Sequence, residues 1–153
     1  MSRLKPPQAT LLASADDVEA QFYEALQQGD LACLMAVWAD DDEVVCVHPG
    51  GGRVVGAAAI GASFEALFAN GGVPALPEQV RRMHGLGLAV HHLVERIRVP
   101  SPQGPGQPPV DAFVLATNVY VNTAQGWRMV AHHASPGAPQ QQAAAAERPS
   151  TLH

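Results

Sequence analysis

The sequence predicts an α+β fold: a cone of three N-terminal helices packed on a strongly curved antiparallel sheet. Three observations lead there. Apolar residues recur at helical spacing only as far as Asn70. From Gln79 to Ser135 the chain switches to runs in which apolar and polar residues alternate, the period of a half-buried strand. Gly, Pro and Asn punctuate nearly every join. Helices gathered at the front with a meander behind give an α+β layering and not a parallel α/β sheet.

The first helix runs over 16–28, where Val18, Phe22, Ala25 and Leu26 form one stripe. Ser14 or Asp16 can cap its start, and Gly29 supplies a left-handed stop. Asp30 then caps a short helix that turns Leu31, Leu34, Met35 and Trp38 inward. A strand over 44–48, a turn at 50–52 and a short strand over 53–55 precede the third helix. That helix runs over 57–69, with Ile60, Phe64, Leu67 and Phe68 aligned. Strands over 79–84, 86–99, 110–122 and 126–135 complete the chain. The Pro- and Gly-rich segment 100–109 cannot be central strand and is expected at an exposed hairpin tip. Residues 1–14 and 137–153 are expected to be flexible tails around one domain over 15–136.

With 153 residues the chain is long enough for one sizeable core. Nine Lys and Arg against fourteen Asp and Glu leave no basic face for phosphate, so nucleic acid is not an expected partner. No apolar run approaches the roughly 18 residues that span a bilayer, and a secretory leader is not expected at the N-terminus. Cys33 and Cys46 both lie in apolar segments and read as small buried hydrophobes in a reducing, cytoplasmic setting. Only 15% of the residues are charged, sparse for a surface that stays wet on its own. A second copy of the chain is the simplest cover, so a homodimer is expected.

Two strands end on histidine. In Val44-Val45-Cys46-Val47-His48 alternation puts His48 on the face of Val44 and Cys46, which are expected inside. A histidine titrates near neutrality, which suits a base or ligand partner there; a bond to backbone is the plainer alternative. His132 and His133 are neighbours on the last strand and therefore point to opposite faces. Alternation groups His133 with Trp127, Met129 and Ala131, and His132 with Arg128 and Val130, without saying which set faces inward. Asn118 is a polar residue in an apolar strand, tolerated only with hydrogen-bond partners, either a ligand or an internal network with His48. Trp38, Tyr23 and Tyr120 read more often as core than as ligand-stacking residues, with Trp38 the best candidate for a pocket wall. No spacing of His and Cys suits a metal, and no cofactor is expected.

The order helix, Gly-Asp, helix, strand, helix, meander resembles the nuclear transport factor 2-like superfamily, in its SnoaL-like and ketosteroid isomerase-like branch. The likeness rests on 22–30 (Phe-Tyr-Glu-Ala-Leu-Gln-Gln-Gly-Asp), Trp38-Ala39-Asp40-Asp41-Asp42 and His48-Pro49-Gly50-Gly51. Gly56 and the stretch Gly126-Trp127-Arg128-Met129-Val130 with His133 and Ser135 complete it. That last stretch is also similar to the association domain of calcium/calmodulin-dependent kinase II. The resemblance implies a conical pocket between helices and sheet. It places the isomerases' base carboxylate on His48, their tyrosine donor on Phe22 with Tyr23 beside it, and their protonated aspartate donor on Asn118. Phe22 has no hydroxyl, and losing one oxyanion donor costs about 3 kcal/mol of transition-state stabilisation, so a strict steroid isomerase is not expected.

Two functions follow as expectations. The first is a pocket for a small, largely apolar carbonyl compound, with isomerase-, cyclase- or dehydratase-type proton transfer: His48 the base, Asn118 the donor, and Phe22, Tyr23, Trp38, Tyr120 and His132 or His133 on the walls. The second is a non-catalytic ligand-binding or association domain.

Overall fold

A computed structural model describes residues 12–138. The predicted flexible tails lie outside these residues except at their inner ends. There Leu12 is buried, and its carbonyl accepts the Trp127 amide at 3.2 Å, so 12–14 are docked on the body.

Helix α1 spans Ala15–Gln28. Ser14 Oγ accepts the Asp17 amide, and Asp17 Oδ2 accepts the Ala13 amide, both at 3.1 Å, a reciprocal closure of the open helix end. Gly29 stops the helix at φ 67°, a conformation glycine adopts without a Cβ clash. Helix α2 (Leu31–Ala36) starts from Asp30, whose Oδ1 accepts the Cys33 amide at 3.1 Å. Strands β1 (Val45–Val47) and β2 (Arg53–Val55) lead into α3 (Ala57–Leu67), which tightens to a 3-10 turn at Phe68–Asn70. The long strands follow: β3 (Ala75–Gly85), β4 (Leu88–Val99), β5 (Val110–Thr123) and β6 (Gly126–Pro136).

The six strands form one sheet in the order β2-β1-β6-β5-β4-β3. Every pair is antiparallel except β1 with β6, which is parallel. Strand β3 begins four residues before the expected start and carries Pro77. That is permitted because β3 is an edge, where a missing ladder N–H is harmless.

One irregularity decides which side chains face inward. Val119 pairs with Ala131, but Tyr120 pairs with Met129, so Val130 is an extra residue on β6. Such a bulge shifts the alternation by one residue. Met129 therefore joins His132 on the buried face (0% and 4% exposed), while His133 points outward. The expected grouping of Met129 with His133 fails for this reason.

The core lies between α1–α3 and the inner sheet face, around Phe22, Leu34, Ile60, Phe64, Leu93 and Met129. Among the described residues the other face of the sheet carries no helix.

Candidate functional site

Strand register sets a buried polar row across the inner face. His91 on β4 lies opposite Asn118 on β5, Asn118 opposite His132 on β6, and His132 opposite Cys46 on β1. Helix α1 lies over this row. Its buried stripe includes Glu19 and Tyr23, one helical turn apart, with Phe22 between their turns.

Two clusters result. In the first, Tyr23 Oη donates to Glu95 Oε2 at 2.7 Å, and Asn118 Nδ2 donates to Tyr23 Oη at 3.1 Å. The Asn118 Oδ1 carbonyl accepts from His132 Nδ1 at 2.6 Å. This fixes the neutral tautomer of His132, with its proton on Nδ1 and a lone pair on Nε2. That lone pair lies 4.0 Å from Glu95 Oε2. Burial pushes the Glu95 carboxyl up to about 7, an effect its bond from Tyr23 only partly offsets. Burial, with the charges of His48 and His133, pulls His132 down to about 3. Burial and the Glu95 carboxylate raise the Tyr23 phenol. The cluster thus holds a neutral imidazole beside a carboxyl whose titration is moved toward neutrality. The side chains of Glu95 and His132 each keep 5% of their surface accessible, whereas Asn118, Phe22, Cys46 and Tyr120 keep none.

In the second cluster His91 Nδ1 meets Glu19 Oε1 at 2.6 Å, and Tyr120 Oη donates to the same oxygen at 3.3 Å. His91 Nε2 is buried without a partner. Asp16 Oδ1 lies 4.0 Å from it and is held by Arg82 Nε at 2.9 Å.

His48 stands just past β1 at the rim of the core. Its Nε2 lies 2.9 Å from Ser63 Oγ, whose own proton goes to the Ile60 carbonyl at 2.7 Å. Ser63 Oγ therefore accepts from His48 Nε2–H, which leaves Nδ1 as the free lone pair. Burial lowers the His48 imidazole from its ordinary value. A row of rings runs from His48 to the first cluster: His48 to Phe64 at 4.7 Å, Phe64 to Phe22 at 6.0 Å, and Phe22 to His132 at 5.0 Å.

Of the residues singled out in the sequence, Phe22, Tyr23, Asn118, His132 and Tyr120 share this core face, with His48 at its rim. Asn118 bonds to Tyr23 and His132, and His48 bonds to Ser63. His133 lies on the outer face. Trp38 packs at the far end of β6, where its neighbours bond to the Met129 backbone. Sequence reasoning missed Glu19, His91 and Glu95. The signal was present for Glu95, which is in period-two register with Ala89, His91 and Leu93 on β4. Among the described residues no group of three or more His, Cys, Asp or Glu is arranged to hold a metal ion.

The helices over one face of this sheet, with a buried polar cluster between the layers, define the nuclear transport factor 2-like class. Within it the chain belongs to the SnoaL-like domain family, which matches residues 16–139. Among solved structures it is similar to a Thiobacillus denitrificans protein named for a calcium/calmodulin-dependent protein kinase type II association domain. The identity is 34%, over 83% of this chain and 98% of that one, with a TM-score of 0.73. A Streptomyces avermitilis protein of the NTF2-like family, named as a dehydratase, is 30% identical over 79% of this chain and 91% of that one, with a TM-score of 0.68. The hub domain of S. rosetta calcium/calmodulin-dependent kinase II shares the fold at 18% identity, over 89% of this chain and all of that one (100%), with a TM-score of 0.61. Among the curated proteins none matches the chain.

Proposed function

We propose that the chain binds a small, largely apolar carbonyl compound between its helices and sheet and transfers a proton α to the carbonyl without a cofactor. The observation that carries this is the Glu95 carboxyl, raised to about 7 by its burial and set 4.0 Å from the neutral His132. Two titrating groups pushed in opposite directions are what acid–base work at neutral pH requires. His48 Nδ1, unprotonated at neutrality, takes the proton from the α-carbon. The developing oxyanion receives a hydrogen bond from the Tyr23–Glu95 pair. Asn118 spends its amide on Tyr23 and His132 and so acts as a positioning residue. Phe22 and Phe64 supply the apolar wall. The dehydratase name of the S. avermitilis relative accords with this reaction class. The unpaired thiols of Cys33 and Cys46 accord with a cytoplasmic setting.

The test is a thermal-shift screen of ketones, enones and aromatic acids, followed by deuterium exchange at the α-carbon of any compound that stabilises the protein. Replacing His48 by Gln should slow exchange by about 100-fold or more, the usual worth of a general base, while the compound still raises Tm. Exchange at the full wild-type rate in His48→Gln removes the base from the proposal.

The sheet face that no described helix covers favours a second reading, association with another copy. It carries a hollow of about 470 Å3 lined by residues that include Leu115, Val119, Ala131 and His133. The association-domain name of the T. denitrificans relative is in keeping with it. Sedimentation should give a dimer for the wild type and a monomer for Val119→Lys; a monomeric wild type ends this reading.

A further inference from the structure

A second cleft lies at the other end of β6, and an arginine in its wall makes no ion pair among the described residues. Arg128 is only 8% exposed. Its Nη1 donates to the Trp127 carbonyl at 2.7 Å, which uses one of the five donors of a guanidinium. The ion pairs found among the described residues engage Arg82, Arg96 and Arg98, and none reaches Arg128. Burial draws its guanidinium below the usual range, and no carboxylate offsets the effect. A charge screened from water without an opposite charge is costly, and an anion arriving beside it would offset that cost.

The surroundings specify that anion further. Arg128 lines a cleft of about 620 Å3 together with Trp38, Asp40, Asp41, Thr123 and Gln125, a size that suits a small molecule. Trp38 is 5% exposed, and its indole Nε1–H is buried with no acceptor. An arginine with no ion pair and an indole N–H with no acceptor thus belong to walls of one cleft. The β5–β6 turn beneath them is fixed, because Thr123 Oγ1 donates to the Gly126 carbonyl at 2.7 Å and accepts the Gln125 amide at 3.1 Å. The Asp41 carboxylate is also fixed, accepting the Glu43 amide at 2.8 Å. Asp40 and Asp41 are exposed and make the cleft unfavourable for a plain anion. They favour a molecule that carries a cation next to its carboxylate.

We infer that this cleft binds a small zwitterionic amino carboxylate, such as a free α-amino acid. Its carboxylate lies in the Arg128 fork, a planar match that a lysine would not offer. The bound molecule lies against the Trp38 ring, and its ammonium faces Asp40 and Asp41. The site is separate from the Glu95–His132 cluster and does not depend on its chemistry.

The experiment is an NMR titration of the wild-type chain with L-serine, sodium acetate and methylammonium chloride, following the two tryptophan indole N–H resonances. Trp127→Phe assigns the Trp38 signal. L-Serine should move it saturably with a Kd near or below about 1 mM, and acetate and methylammonium should bind at least about 10-fold more weakly, a loss of about 1.4 kcal/mol or more. Arg128→Gln should weaken L-serine by about 10-fold or more, the scale of a charge-assisted pair; if that variant does not fold, the wild-type titration decides alone. A Trp38 signal unmoved by L-serine, acetate acting as strongly as L-serine, or unchanged affinity in a folded Arg128→Gln each overturns the inference.

Discussion

Replacing Glu95 with Gln should change how stability depends on pH more than any other single substitution at the site. In the folded chain the carboxyl titrates at about 7 against an ordinary 4.5. Between these values the folded state holds a proton that the unfolded state has released, so this group lowers stability as pH rises from 4.5 to 7. At about 1.4 kcal/mol per pH unit the loss is on the order of 3 kcal/mol. His132 acts in the opposite sense. Its folded value of about 3 lies below an ordinary 6.5, so the unfolded state holds the extra proton and stability rises with pH across that window. The two slopes cancel between pH 4.5 and 6.5 in the wild type. In Glu95→Gln the amide still accepts from Tyr23, and only the His132 slope remains. Urea unfolding at a series of pH values should therefore show the variant gaining about 3 kcal/mol on the wild type between pH 4.5 and pH 7. Parallel profiles would place the Glu95 carboxyl at its ordinary value and remove it from the proposed acid–base pair.

Asn118→Leu should be the costliest change within the network. Leucine is close in size but leaves the His132 Nδ1–H without its acceptor and the Tyr23 oxygen without its donor. Each buried group left unpaired costs about 1–3 kcal/mol. A total near 3 kcal/mol corresponds to about 10 °C in Tm for a domain of this size. Thr117, one residue earlier on β5, faces the outer hollow, and Thr117→Val should stay within about 0.5 kcal/mol. Thermal unfolding of the two variants side by side checks this. Equal losses would mean that the inner and outer faces differ less than the hydrogen bonds indicate.

Much of the layering was legible in the residues. The stripes on α1 and α3 show because a helix buries one face at fixed spacing. The stop at Gly29 shows because few residues accept left-handed backbone. The four long strands show by alternation, except between Glu78 and Arg81 on β3 and at Val130 on β6, where irregular residues interrupt the pattern and no local signal marks them. The candidate site was legible only in part. Histidine, asparagine and tyrosine at apolar positions drew notice as buried polar groups. Glu19 and Glu95 did not, since a carboxylate on a strand or helix ordinarily faces water.

What the sequence determined by itself is the class of fold, the order of elements and the existence of polar groups within apolar runs. These follow from local periodicity and backbone preference, which act over a few residues. The tertiary structure alone decided that β1 runs parallel to β6, that His132 rather than His133 faces inward, and that Glu95 lies against Tyr23. These outcomes rest on contacts between segments distant in the chain. Tyr23 and Glu95 are 72 residues apart, and their pairing exists only once α1 lies across the sheet and removes both from water, the step that raises the carboxyl toward neutrality.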